Sequence, residues 1–259
     1  MGMRLIAVPY DSGRRGWRMG AGPEHLLGRG LERELVAAGH RVDVQVVETK
    51  ATVDVEAAFH LAELIAAQVR SARSDDVLPV ILAGNCISTL GALNGFDSKP
   101  ALLWLDAHAD FNTPETSPSG FLDGMALSII TGRCYRERLL PDNHIMMLGI
   151  RSIDEGEKAA LESVHVIKSS RQLWTALASI DSPDLYLHID LDSFDPSVLR
   201  ANHFATDRGL TLHTVHDAID AIRANKRVVG ISFTAYDPEA DAANQALPIV
   251  VDIINRISA

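Results

Sequence analysis

Cysteine is scarce: Cys86 and Cys134 are the two in 259 residues. So few thiols cannot frame a disulfide-stapled fold, and a reduced, cytoplasmic setting is the expectation. Basic clusters are scarce too. Arg14, Arg15 and Arg18 form the densest one, against a formal net charge of −10. A surface of that sign argues against a nucleic-acid partner. No apolar run reaches the roughly 18 residues that a membrane span needs. The opening Met1-Gly-Met-Arg-Leu-Ile-Ala-Val-Pro9 lacks the layout of a signal peptide. Linkers, low-complexity tracts and internal repeats are missing as well. What is plentiful is apolar sequence, 47% of the chain, enough to bury a substantial core.

That apolar sequence falls into alternating strand-like and helix-like segments. Strands are expected over 4–9, 41–47, 77–83, 99–105, 145–150, 164–167, 184–189 and 227–234. Helices are expected from Pro23 to about residue 38, over 53–74, from the end of Gly84-Asn-Cys-Ile-Ser88 to about residue 93, and from Asp123 or Gly124. More are expected near Asp154, over 171–179, from Thr211 as N-cap to residue 223, and over 238–257. Strict alternation predicts one doubly wound α/β domain over residues 1–259 with a mostly parallel sheet.

Two stretches carry the chemistry. Ala101-Leu-Leu-Trp-Leu-Asp-Ala-His-Ala-Asp-Phe-Asn112 begins as a buried strand and then sets Asp106, His108 and Asp110 at alternate positions. If the backbone stays extended, the three point to one side. Leu185-Tyr-Leu-His-Ile-Asp-Leu-Asp-Ser-Phe-Asp-Pro196 repeats the design with Asp190 and Asp192. Both motifs sit where strands give way to loops, the end at which parallel sheets place their sites. If the two strands are neighbours, four carboxylates and an imidazole converge. Their mutual repulsion calls for two divalent cations. Solvated loop aspartates are the competing reading, which two spaced motifs make improbable.

Asp106-Ala-His-Ala-Asp110 and His188-Ile-Asp-Leu-Asp-Ser-Phe-Asp-Pro196 resemble the signature motifs of the ureohydrolases, the arginases, agmatinases and their relatives, and almost the whole chain is compatible with that family. The resemblance implies a three-layer α/β/α sandwich and a pair of Mn(II) ions. It implies that Asp106 and Asp190 contact both ions, that His108 and Asp192 complete one, and that Asp110 belongs to the other. Asp195 would be a structural turn residue, and His188 would pack on its strand. The family's further ligand, a His in a Gly-Gly-Asp-His-Ser motif, is replaced by Cys86. Cys86 is expected to ligate metal or to act beside it. The alternatives are a neutral thiol with water in the position, or a small buried residue.

Asp110-Phe-Asn-Thr-Pro-Glu-Thr-Ser-Pro-Ser-Gly-Phe-Leu-Asp-Gly124 resembles the arginase substrate loop. By that likeness Asn112 and Ser119 bind an α-carboxylate, Asp154 recognises an α-amino group and Glu157 lies nearby, so the substrate is a guanidino L-α-amino acid. Asp110 would carry the proton to the leaving nitrogen. Asp123 stands where arginases end the loop with His, and is expected to relay protons or accept a hydrogen bond from substrate. Ala235 stands where they pair a Glu with the guanidinium, and Phe204 replaces a Thr. A head group less basic than guanidinium tolerates that loss, and N-hydroxylation both lowers basicity and needs room. The altered end resembles the family branch that splits Nω-hydroxy-L-arginine into L-ornithine and hydroxyurea in D-cycloserine biosynthesis. An ordinary arginase, another guanidino-acid hydrolase and a non-catalytic paralogue remain the alternatives, and a homo-oligomer is compatible with the family.

Overall fold

The computed structural model describes residues 1–135 and 138–259. Eight strands form one sheet: β1 (Gly2–Val8), β2 (Arg41–Val46), β3 (Leu78–Ala83), β4 (Ala101–Leu105), β5 (Ile145–Leu148), β6 (His165–Ile167), β7 (Asp184–Asp190) and β8 (Arg227–Thr234). Their spatial order is β2-β1-β3-β8-β7-β4-β5-β6, and every neighbouring pair is parallel.

Central strands such as Leu-Pro-Val-Ile-Leu-Ala in β3 are buried at every position, as a sheet covered on both faces requires. Alternate side chains feed two separate cores. Leu5, Leu82, Leu103 and Leu187 meet the helices Leu31–Ala37, Ser170–Ser179, Leu212–Asn225 and Ala246–Ser258 on one face. Ile6, Ile81, Trp104 and Tyr186 meet Asp54–Ser74, Ser88–Asn94 and Ala126–Ile130 on the other. The result is the expected three-layer α/β/α sandwich. Among the described residues, no helix is long and apolar enough to cross a membrane.

Two features of the fold place the site. The last two strands, β7 and β8, are inserted between β3 and β4. Four loops leaving their carboxyl ends therefore converge over the middle of the sheet, where such folds bind ligands. The helix Ser88–Asn94, which follows Cys86, is drawn tightly onto Asp54–Ser74. A β-carbon at Gly91 would stand 2.7 Å from the Ala62 backbone, so only glycine allows this approach.

Several boundaries differ from expectation. The first helix is split into Gly22–Gly28 and Leu31–Ala37, because Gly30 adopts a left-handed φ of 99° between them. The terminal helix starts at Ala246, not at residue 238. The Asp241 carboxylate accepts the backbone N–H groups of Gln245 and Ala246 and so fixes the start eight residues later. Strand β5 stops at Leu148 because Gly149 turns with φ of 100°. The segments opening at Asp123 and near Asp154 begin as single 3-10 turns, Leu122–Met125 and Glu155–Glu157. Thr211 caps its helix by accepting the Thr214 N–H.

Candidate metal centre and cleft

Register alone brings the two acidic motifs together. Leu105 of β4 pairs with Ile189 of β7, so Asp106 and Asp190 leave adjacent strands side by side. Asp190 in turn pairs with Thr234 of β8. Asp106 Oδ1 accepts the His108 N–H at 2.7 Å and Oδ2 accepts the Trp104 indole N–H at 2.9 Å. Asp190 Oδ1 accepts the Asp192 N–H at 2.7 Å, and Oδ2 accepts from the Cys86 thiol at 3.0 Å. His108 Nδ1 stands 3.4 Å from both Asp106 Oδ1 and Asp192 Oδ2. Asp192 Oδ2 takes a 3.2 Å hydrogen bond from Asn202, while its Oδ1 is buried with no partner among the described residues.

The alternation that suggested three co-directed side chains is broken at its last member. Asp110 has φ of 53°, a left-handed turn, and its carbonyl accepts the Leu127 N–H that starts a short helix. The turn still leaves Asp110 buried on the cleft wall. Asp192 likewise reaches the cluster from a 3-10 turn, Leu191–Ser193, and not from an extended strand.

Among the described residues, two groups of donor atoms are close enough to share an ion, all within 4.8 Å of one another: Asp106, His108 and Asp192 in one, and Cys86, Asp106 and His188 in the other. Asp106 belongs to both, as a bridging carboxylate must. The first group holds three of the four residues expected for one ion; Asp190, expected to contact both ions, is in neither group. In the second, the expected Asp110 and Asp190 are both outside the group and His188 stands within it. His188 does pack on its strand, stacked on Trp104 with ring centroids 3.5 Å apart, but it also reaches donor range.

The electrostatics are those of a dense, buried carboxylate cluster. Burial, then neighbouring carboxylates, pushes Asp110 and Asp190 well above the usual range, and burial raises Asp106. Burial works against a charged His108, but its contacts with Asp106 and Asp192 outweigh that and push it up to about 12. The same contact holds Asp192 below its ordinary value despite burial. Burial and Asp123 push the Cys86 thiol well up, so it is neutral without metal. The residues fit a divalent pair: oxygen and nitrogen donors dominate, acidic side chains are in excess and the Asp192 Oδ1 acceptor has no partner among the described residues.

A consequence for the metal-free protein follows from linkage. Asp106, Asp110 and Asp190 bind protons more tightly folded than unfolded, so stability is lost as pH rises from the ordinary carboxylate range through their raised values. His108 has the same sign, its contribution being full below the ordinary imidazole value and lost above it. Asp192 opposes them only at pH below the ordinary carboxylate value. Thermal melts of chelator-treated protein should therefore show Tm falling by several degrees between about pH 5 and pH 8. Added divalent metal should flatten that slope, and a metal-free Tm that rises across the interval would contradict the cluster.

The cleft beside the cluster is open to solvent and offers about 180 Å³ of space for a small ligand. Asn112, Ser119, Asp154 and Glu157 all line it, with Asp123 and Cys86 nearer the cluster. Asn112 Nδ2 donates to Asp154 Oδ2 at 2.8 Å, and Ser119 Oγ accepts the Phe121 N–H at 3.2 Å. Glu157 is largely committed to the backbone. Its carboxylate accepts the N–H of Phe111 at 2.9 Å and of Asp154 at 2.7 Å, closing a capping box that fixes Asp154. Asp123 accepts the Ile87 N–H and the Asn85 amide, each at 3.0 Å, and burial pushes its carboxyl up to about 7. Ala235, in a left-handed conformation with φ of 58°, and Phe204 line the same cleft. Phe204 stacks on Phe121 with centroids 6.2 Å apart. Asp195 accepts from Ser197 and Gly209, as a turn residue should.

Sequence reasoning overlooked three supporting groups. Asn202 joins Asp192 to the Ala235 carbonyl. Arg151 gathers the carbonyls of Asp192, Ser193 and Thr206, pinning the loop after β7. Arg18 pairs with the fully buried Asp11, which accepts from Asn85 and so backs the Asn85–Asp123 contact. Isolated Asn and Arg residues in loops carry no periodic signal.

A model of the arginase family matches residues 1–258. An arginase of Bacillus caldovelox is 26% identical over 98% of this chain and 96% of its own length. An N(omega)-hydroxy-L-arginine amidinohydrolase of Streptomyces lavendulae is 30% identical across 69% of this chain and 68% of its own. The crystal structure of an arginase from Bacillus cereus superposes with a TM-score of 0.87 at 21% identity, covering 99% of this chain and 98% of the other. At that identity the superposition speaks for the fold.

Proposed function

The chain belongs to the arginase family, and from that premise we propose that it is a two-metal amidinohydrolase acting on a guanidino L-α-amino acid, with Nω-hydroxy-L-arginine preferred to L-arginine. Asp106, His108, Asp110, Asp190 and Asp192, with Cys86, would hold two Mn(II) ions. When bound, such ions supply Lewis acidity and a hydroxide nucleophile near neutral pH.

The chain's own residues do the rest. Asn112 and Ser119 would donate hydrogen bonds to the substrate carboxylate, while Asp154, fixed by Glu157, accepts from the α-ammonium. Asp110, buried and inclined to hold a proton, would accept one from the attacking water. It then passes that proton to the ornithine nitrogen as the guanidine C–N bond breaks. Asp123 already accepts two protein N–H groups and stands ready to take a further hydrogen bond from the substrate hydroxyl or to relay a proton.

The observation that carries the substrate choice is Ala235. A buried methyl group lines the cleft at the position where the sequence resemblance expects a carboxylate for a guanidinium. A full cation desolvated there would lack its partner, at a cost of order 3 kcal/mol or more. A hydroxyguanidine, neutral over more of the physiological range, avoids it. With manganese present, kcat/KM for Nω-hydroxy-L-arginine should exceed that for L-arginine by about 100-fold, which is close to 3 kcal/mol. Ornithine release read side by side for the two substrates checks this, and equal or reversed preference would make the protein an ordinary arginase.

A further inference from the structure

We propose that His188 is a ligand of the ion beside Cys86, so that an imidazole from β7 takes over the nitrogen donation a thiol at position 86 cannot give. The proposal rests on the two-metal reading above and narrows it to one side chain. His188 is fully buried and clamped against Trp104 at an interplanar angle of 12°. Its two ring nitrogens are treated unequally. Nδ1 lies 2.8 Å from Thr89 Oγ1 and 3.1 Å from Ser232 Oγ, hydroxyls that fix the ring's rotation. Nε2 has among the described residues only the Thr234 hydroxyl, at 3.5 Å. That same hydroxyl touches Cys86 Sγ at 3.2 Å, which places the free edge of the imidazole toward the cluster.

Donors on one ion stand apart by at most about twice a metal–ligand bond of roughly 2.0–2.6 Å. The donor atoms of Cys86, Asp106 and His188 already lie within 4.8 Å of one another, before any ion draws them in. Histidines that bind metal through one nitrogen are held through the other by a hydrogen bond, and the Thr89–Ser232 pair, with its own 3.2 Å contact, supplies that hold. The resulting sulfur, nitrogen and oxygen set is softer than the Asp106–His108–Asp192 set. The two sites are therefore unlike, the His188 site favouring zinc or cobalt more strongly than its neighbour does.

His188→Asn keeps a polar atom near the Nδ1 position and removes Nε2. Equilibrium dialysis of metal-free protein against manganese or cobalt, with bound metal counted by elemental analysis, should give two ions per chain for the unaltered protein. The variant should keep one ion and hold the second at least about 100-fold more weakly. Full loading of both sites in the variant, at unchanged affinity, overturns the role of His188 and leaves the two-metal reading standing. Absence of bound metal in the unaltered protein overturns both. Should the variant not fold, the unaltered protein answers alone. Loaded with cadmium and carrying isotopically labelled histidine, it should show metal–nitrogen couplings to two histidines, His108 and His188. Coupling to a single histidine overturns the proposal.

Discussion

Removal of divalent metal should abolish turnover, lowering kcat by at least about 10⁴-fold, and manganese alone should restore it. The magnitude follows from the nucleophile. Metal-bound water ionises near pH 7, against roughly 15.7 for bulk water, so the hydroxide fraction at neutrality differs by about eight powers of ten, and a weaker nucleophile returns only part of that. A carboxylate base alone does not match a metal-activated water. The carboxyls facing the cluster, Asp106, Asp110 and Asp190, are raised by burial and by neighbouring carboxylates, which disfavours their ionised forms. His108 lies 3.4 Å from both Asp106 and Asp192, contacts that favour its protonated form despite burial. Ornithine release before chelation, after it and after refilling, with bound metal counted at each stage, makes the test. Turnover that survives complete stripping would end the metallohydrolase reading. A protein that never binds two ions would favour the non-catalytic alternative.

The sequence motifs located this cluster because its framework is periodic and local. Alternation in β4 and β7 marked Asp106 and Asp190, and parallel register then did the rest, since Leu105 meets Ile189 in the next strand. What alternation could not show is where the chain stops being extended. Asp110 and Asp192 leave the strand geometry at a left-handed residue and a 3-10 turn, and each arrives at the cleft by a path that depends on contacts from distant segments. The Arg151 guanidinium on the loop after β5 holds the loop after β7 through its carbonyls, a contact across some forty residues of sequence. His188 shows the same limit. Its place in the strand was legible, but its nearness to Cys86 comes from three strands and a helix start packed together. The overextended terminal helix failed for a local reason: residues 238–245 carry no strong breaker after Pro238, and the boundary is set by the Asp241 carboxylate folding back on Ala246.

Asp110→Asn should lower kcat about 10³-fold while leaving KM within a few-fold, the size expected when a positioned proton carrier is lost. The substitution keeps the side chain's shape and an oxygen donor toward the cluster, so metal content should stay at or near two ions, and elemental analysis must confirm it. Asp110 suits the carrier's role on physical grounds. It is buried, other carboxylates crowd it, and its backbone is fixed by the Leu127 and Ser128 N–H groups on its own carbonyl. A group held that way can take a proton in one step and give it up in the next without moving. Asp154→Asn supplies the contrast. Asp154 sits at the rim, bonded to Asn112 and placed by the Glu157 capping box, away from the breaking bond. Its loss should raise KM about tenfold and leave kcat nearly unchanged, because it removes binding common to ground state and transition state. Undiminished kcat in Asp110→Asn at full metal loading would remove the proton carrier from the mechanism. A kcat loss in Asp154→Asn as large as that in Asp110→Asn would mean that substrate placement, and not proton transfer, limits the reaction.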